Sequence, residues 1–191
     1  KFMGNCSWCW NSSNLPQTEK QRLENMWKQL PNYFGEESSH KNWLTVIDTS
    51  GSMLGYSKPS PMEVAISLGL YIGERNTGIF KDKYITFSER PQFVDFSKAK
   101  SLHDKLQTAL AHNEVANTNI EAVFDLILTT AVNNNMHQED LPKNILIISD
   151  MEFDYCADDA NLTNFEYAKK LFEDAGYKLP EVVFWNVSSR N

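Results

Sequence analysis

Between Trp43 and Ser52 the chain reads Trp-Leu-Thr-Val-Ile-Asp-Thr-Ser-Gly-Ser. An apolar, β-branched run of strand length stops at Asp48, and the next residues set one carboxylate and two hydroxyls, Ser50 and Ser52, on alternate positions around Gly51. Short oxygen-bearing side chains on a tight turn can surround a small hard cation. Mg²⁺ takes oxygen ligands at about 2.0 to 2.1 Å in octahedral order, and one loop of this kind can supply three of them. A second apolar run, Ile145 to Ser149, also stops at an aspartate, Asp150, and Thr118 opens a helical stretch between the two. In open α/β sheets ligands bind beyond the carboxyl ends of the strands, where strand order reverses. Asp48, Thr118 and Asp150 all stand at such strand ends, or at a helix start reachable from one.

Those residues need a scaffold, and the periodicity of the chain supplies it. Residues 1–42 read as a lead-in: Cys6-Ser-Trp-Cys9, a Ser/Asn/Pro stretch, then a helix from Gln17 to Leu30 with Leu23, Met26, Trp27 and Leu30 on one stripe. That stripe is a face to pack on the domain, and Pro31 with the polar run Gly35 to Asn42 forms a linker. Ser60-Pro61-Met62-Glu63 joins three helix-start signals, an N-cap serine, proline at N1 and a capping-box glutamate, for a helix to about Asn76 that is apolar nearly all round. Tyr84 to Phe87 and Gln92 to Asp95 read as a hairpin whose second strand follows a proline and therefore belongs at a sheet edge. Ser101 to Leu110 is a helix. Thr118 and Glu121 form a capping box ahead of the stripe Ile120, Val123, Phe124, Ile127, Leu128 and Ala131. Thr163 and Glu166 cap a further helix closed by Gly176, and Val182 to Val187 is the last strand. Strands alternating with helices predict an α/β fold: an open, doubly wound, mainly parallel sheet of about five strands. Trp43 to Asp48 lies at its centre, flanked by Tyr84 to Phe87 and Ile145 to Ser149, with Gln92 to Asp95 as the one antiparallel edge strand.

Asp48-x-Ser50-x-Ser52 after a buried strand resembles the metal-ion-dependent adhesion site (MIDAS) that opens a von Willebrand factor type A domain. The resemblance extends to Thr118 at the second-loop threonine and Asp150 at the third-loop aspartate, spaced 66 residues from Ser52 to Thr118 and 32 from Thr118 to Asp150. It covers Trp43 to about Asn186. Within that superfamily, Ser149-Asp-Met-Glu-Phe-Asp154 and the ending Val-Val-Phe-Trp-Asn186 are most similar to uncharacterised plant and viral proteins of a domain-of-unknown-function family, related in turn to the type A domain of Ro ribonucleoproteins. The commoner wording Thr-Asp-Gly is absent here, but its carboxylate is kept in Asp150. The resemblance implies a von Willebrand factor A-like domain over 43–191, truncated at its C-terminus because such domains usually carry a further strand and helix. It also implies a divalent cation, Mg²⁺ before Mn²⁺ or Ca²⁺, held by Asp48, Ser50, Ser52, Thr118 and Asp150, directly or through water. The open coordination position then takes a carboxylate of a protein partner.

Composition limits the alternatives. A formal net charge of -7 and scattered Lys and Arg give no basic patch for nucleic acid or an anionic membrane, and no apolar run is long enough to span a bilayer. Three cysteines in 191 residues do not make a disulfide scaffold, so a reducing, cytoplasmic setting is expected. Cys6 and Cys9 offer two of the four ligands of a structural zinc site, with His40 distant in sequence. The sequons at Asn5, Asn11, Asn161 and Asn186 matter only in a glycosylating compartment. His103, His112 and His137 have no serine or cysteine neighbour for a triad. A phosphatase of haloacid dehalogenase type would need a second carboxylate two residues after Asp48 as general acid, and that place is Ser50, so no enzyme activity is expected. A scaffold role in a Ro-like ribonucleoprotein is the third reading, compatible with the first. In Ro-like proteins RNA goes chiefly to a separate helical-repeat portion.

Overall fold

The computed structural model describes residues 15–33, 42–55, 59–112, 119–150 and 157–188, with the backbone alone for 157–164. Cys6, Cys9, His40, Thr118, Asp154 and Cys156 lie outside the described residues. Five strands form one sheet: β1 (Trp43–Asp48), β2 (Lys83–Phe87), β3 (Phe93–Asp95), β4 (Asn144–Ser149) and β5 (Glu181–Asn186). Their order is β3-β2-β1-β4-β5. β1 pairs in parallel with β2 and β4, β5 joins β4 in parallel, and β3 alone runs antiparallel, on β2. The architecture is the open, doubly wound, von Willebrand factor A-like one, with Trp43–Asp48 at its centre.

The continuous apolar runs of β1 and β4 make sense once both faces are covered. Leu44, Val46, Ile145 and Ile147 point into one core with Phe124, Ile127 and Phe172, beneath α4 (Ile120–Asn133) and α5 (Ala157–Asp174). Their alternates Ile47, Leu146 and Ile148 point into the other with Ile66, Leu70 and Tyr84, beneath α2 (Pro61–Arg75) and α3 (Leu102–Ala111). The helix α1 (Gln17–Lys28) lies outside α2 and α3. Trp27 meets Tyr71 edge to face and donates its indole N–H to Glu74 at 2.7 Å, while Glu24 accepts from the Leu102 amide at 2.6 Å. The expected apolar stripe of α1 is split, because Met26 is 54% exposed and no residue of the helix is fully buried. A helix on the outside of two others has only a narrow contact line, which Trp27 occupies.

Local signals hold where the backbone leaves amides to be capped. At the start of α2 both halves of the capping box are formed: the Glu63 amide donates to Ser60 Oγ at 3.2 Å, and the Ser60 amide to Glu63 Oε2 at 2.8 Å. Gly176, with φ of 84°, ends α5: its amide bonds the Glu173 carbonyl and the Tyr177 amide the Phe172 carbonyl, the pairing of a Schellman motif. Two expected caps are corrected. The N-cap of α4 is Asn119, one residue after the expected Thr118, and its side chain accepts from the Ala122 amide at 3.0 Å. Asparagine caps at least as well as threonine and sets Ile120 as the first helical residue, buried under the sheet. Thr163 is inside α5, which already starts at Ala157. A Thr-x-x-Glu pattern marks a boundary only where the preceding amides are free. Asp158 and Asp159 lie on the first turn of α5.

Close approach of α2 to the sheet rests on glycine. A Cβ at Gly73 would stand 2.7 Å from Phe96 Cζ and 3.1 Å from the Lys83 carbonyl oxygen, and the carbonyl belongs to the backbone of β2 and cannot rotate away. Gly73→Ala is therefore expected to destabilise the fold by about 1 to 3 kcal/mol, lowering the melting temperature by several degrees in thermal denaturation. Gly69→Ala meets chiefly the mobile Cδ1 of Ile47, and Ile47→Val should recover most of its smaller loss.

Candidate metal centre

The chain runs from β1 to β2 on one side and returns to β4 on the other, so strand order reverses between β1 and β4, and a crevice opens beyond their carboxyl ends. Asp48 closes β1 there, and Asp150 follows β4. Their strands pair with Ile47 opposite Ile148, which brings Asp48 level with Ser149.

Asp48 is 2% exposed, and both its oxygens are engaged. Oδ1 accepts the Ser50 amide at 2.8 Å, a turn in which the aspartate side chain mimics a backbone carbonyl. Oδ2 accepts the Ser149 hydroxyl at 2.5 Å. An ionised carboxylate has about four acceptor sites, so two bonds leave capacity for a further ligand. The turn then tightens into one 3₁₀ turn over Gly51–Leu54, which sets Ser50 Oγ and Ser52 Oγ 3.0 Å apart. Beneath it Met53 is fully buried and its sulfur accepts the Asp150 amide at 3.2 Å, linking the loop after β1 to the loop after β4. Asp150 is 8% exposed and near enough for its charge to act on Asp48.

Burial is the largest influence on Asp48 and pushes its carboxyl above the usual aspartate range. The bonds from Ser149 and Ser50 pull it down, and the Asp150 charge pushes it up again. Two buried carboxylates facing one crevice favour a proton or a cation between them. The donor set suits a hard cation: adjacent ligands of an octahedral ion with bonds of about 2.1 Å are about 3.0 Å apart, the spacing of the two serine hydroxyls. Among the described residues no three His, Cys, Asp or Glu side chains converge, so such an ion would depend on hydroxyls to complete its shell.

The fold thus gathers Asp48, Ser50, Ser52 and Asp150 at one crevice, while Thr118 lies outside the described residues. Two contributors escape sequence reading. Ser149 is the last residue of an apolar run, and its role follows only from the β1–β4 register; Met53 reads as an ordinary core residue. His103, His112 and His137 lie elsewhere, His103 beside Lys20 and His112 on the Thr108 carbonyl. No described helix is long and apolar enough to cross a membrane.

A model of the domain of unknown function DUF7788 matches residues 42–191. The chain is 32% identical over 171 residues to an uncharacterized protein of Acanthamoeba polyphaga mimivirus, covering 90% of this chain and 29% of the viral protein. Among solved structures it is similar to the Ro (RSR) protein of Deinococcus radiodurans, with a TM-score of 0.51 and 15% identity, over 80% of this chain and 28% of that one. At that identity the likeness is one of fold. The chain spans under a third of the length of either protein.

The electrostatics of Asp48 make a prediction for the metal-free chain. Its folded carboxyl holds a proton more tightly than the unfolded one, so its contribution to stability is fully present below the ordinary aspartate value and is lost as pH rises through the raised one. In chelator, Asp48→Asn should remove that loss and melt higher than wild type at neutral pH, by on the order of 1 kcal/mol. Its amide can still accept from Ser50 and donate to Ser149. Thermal melts from acid to neutral pH check both the sign and the convergence of the two curves in acid.

Proposed function

The chain belongs to the DUF7788 family through residues 42–191, and from that premise we propose that it is a divalent-cation-dependent protein-binding module. Asp48, Ser50 and Ser52 hold the ion from the first loop, Asp150 from the third, and Thr118 from the second. Mg²⁺ is the preferred ion, with Mn²⁺ or Ca²⁺ as substitutes. The observation that carries this reading is the buried Asp48 carboxylate set against Asp150 at the strand-order reversal, with two serine hydroxyls at the spacing of an octahedral edge. The ion offsets the carboxylate repulsion, fixes the loops and presents an open position to a carboxylate of the partner. No covalent chemistry is assigned to the site: Ser50 stands where a phosphatase would need its general acid.

The likeness in fold to the Ro (RSR) protein favours a second reading, a part in a ribonucleoprotein scaffold. It is compatible with the first. With a net charge of -7, this segment would take part through protein contacts and not by gripping RNA.

Metal should stabilise the fold. At free ion a hundred times its dissociation constant the gain is about 2.7 kcal/mol, several degrees in melting temperature for a chain of this size. Asp48→Ala should abolish the rise and Ser52→Ala should weaken it, with far-ultraviolet circular dichroism unchanged in both. Melting temperatures indifferent to millimolar Mg²⁺, Mn²⁺ and Ca²⁺ would refute the reading. The purified chain should also show no metal-dependent hydrolysis of generic phosphate esters; turnover lost in Asp48→Asn would favour an enzyme instead.

A further inference from the structure

Met53 follows the last hydroxyl of the first loop and offers no oxygen to a hard cation, yet it joins that loop to Asp150. Its own amide donates to the Ser50 carbonyl at 3.2 Å and closes the turn. Its sulfur accepts the Asp150 amide, also at 3.2 Å. The side chain is fully buried in the core that holds Ile47, Met62 and Ile148. Packing alone does not require sulfur there, since leucine fills nearly the same volume and the two exchange with little loss in a core. A thioether differs in being unbranched and in accepting a hydrogen bond, if a weak one. The donor it meets stands just past the ladder. The β1–β4 pairing reaches Ile47 with Ile148, and the Val187 amide takes the Ser149 carbonyl at 2.9 Å. The next amide of the chain, that of Asp150, turns to Met53.

We propose that Met53 decides which cation the crevice prefers, by holding the Asp150 peptide at a fixed distance from the Ser50–Ser52 turn so that the donors fit Mg²⁺ better than Ca²⁺. The inference rests on the reading of Asp48, Ser50, Ser52 and Asp150 as cation ligands. Mg²⁺ demands near-ideal octahedral geometry at about 2.0 to 2.1 Å, whereas Ca²⁺ takes about six to eight oxygens at about 2.3 to 2.6 Å in flexible arrangements. With bonds of about 2.4 Å, adjacent octahedral ligands lie about 3.4 Å apart. The two serine hydroxyls stand 3.0 Å apart, the spacing of the smaller ion. Accommodating the larger one means spreading the first loop away from Asp150, and two cross-links resist that: the sulfur on the Asp150 amide, and the Ser149 hydroxyl on Asp48. The peptide plane that the sulfur holds sets where the Asp150 side chain starts. Met53 touches no ion. It is a positioning residue, of the kind whose loss costs about tenfold or more in metal affinity.

Isothermal titration of the full chain with MgCl₂ and with CaCl₂ tests this. Met53→Leu should weaken Mg²⁺ binding by about tenfold and Ca²⁺ binding by less, so that the preference for Mg²⁺ narrows. Met62→Leu, in the same core, should leave the ratio of the two affinities unchanged. Selenomethionine at every methionine keeps an acceptor at position 53 and should bind both ions as the unlabelled chain does. An unchanged ratio in folded Met53→Leu, or a narrowed one in Met62→Leu or the selenomethionine chain, would overturn the role of Met53 and leave the cation site standing. A wild-type chain that binds neither ion at millimolar concentration would overturn the cation reading and this inference with it. A second measurement needs no variant. In chelator, the Asp150 amide of the wild-type chain should exchange its hydrogen as slowly as the amide of Ile148 in the middle of the sheet. Exchange on the order of tenfold faster would show that the sulfur does not hold the peptide, and would overturn the proposal even where Mg²⁺ binds.

Discussion

The bond from the Ser149 hydroxyl to the Asp48 carboxylate ties the two central strands together at their functional end. It crosses from β4 to β1 at the place where strand order reverses, with both residues buried. A carboxylate taken out of water is costly unless its lone pairs are matched, and here the Ser149 hydroxyl and the Ser50 amide match two of them. The match is incomplete, because Asp150 adds repulsion from the same side and burial keeps the carboxyl above its ordinary range. The top of the sheet therefore carries a cost that the rest of the fold must offset.

The two cores supply that compensation. β1 and β4 are buried on both faces, so moving either strand to adjust the carboxylates would disturb packing above and below the sheet together. Gly69 and Gly73 bring α2 so near β1 and β2 that the helix also fixes the height of the strands. Met53 carries this constraint into the loop: fully buried, it anchors the 3₁₀ turn and accepts the amide that begins the loop after β4. The loop after β1 and Asp150 are thus set by the core beneath them.

How much was legible in the residues can be judged element by element. The serine, proline and glutamate that open α2 form the capping box expected of them, because helix-start geometry is local and all of its partners lie within four residues. The same Thr-x-x-Glu pattern misleads at Thr118 and Thr163, since a cap is decided by where the helix begins. For α4 that depends on Ile120 finding the core and on Asn119 competing for the cap; for α5 it depends on helix already formed from Ala157. The lead-in helix shows the converse case. Its stripe predicts an apolar face, yet α1 packs only through the Trp27 line, because the helices it lies against are themselves already seated on the sheet.

By itself the sequence determined the alternation of strands and helices, the doubly buried character of β1 and β4, the edge position of β3, and the three oxygens carried by Asp48, Ser50 and Ser52. These are properties of period and spacing, written within a dozen residues at a time. Only the tertiary structure decided that Asp150 comes within electrostatic reach of Asp48, that Ser149 donates to it, that the two serine oxygens stand 3.0 Å apart, and that α1 and α2 leave a groove between them. Each of these depends on the β1–β4 register or on helix packing. The energies that set them come from contacts between residues far apart in the chain, about a hundred positions in the case of Asp48 and Ser149.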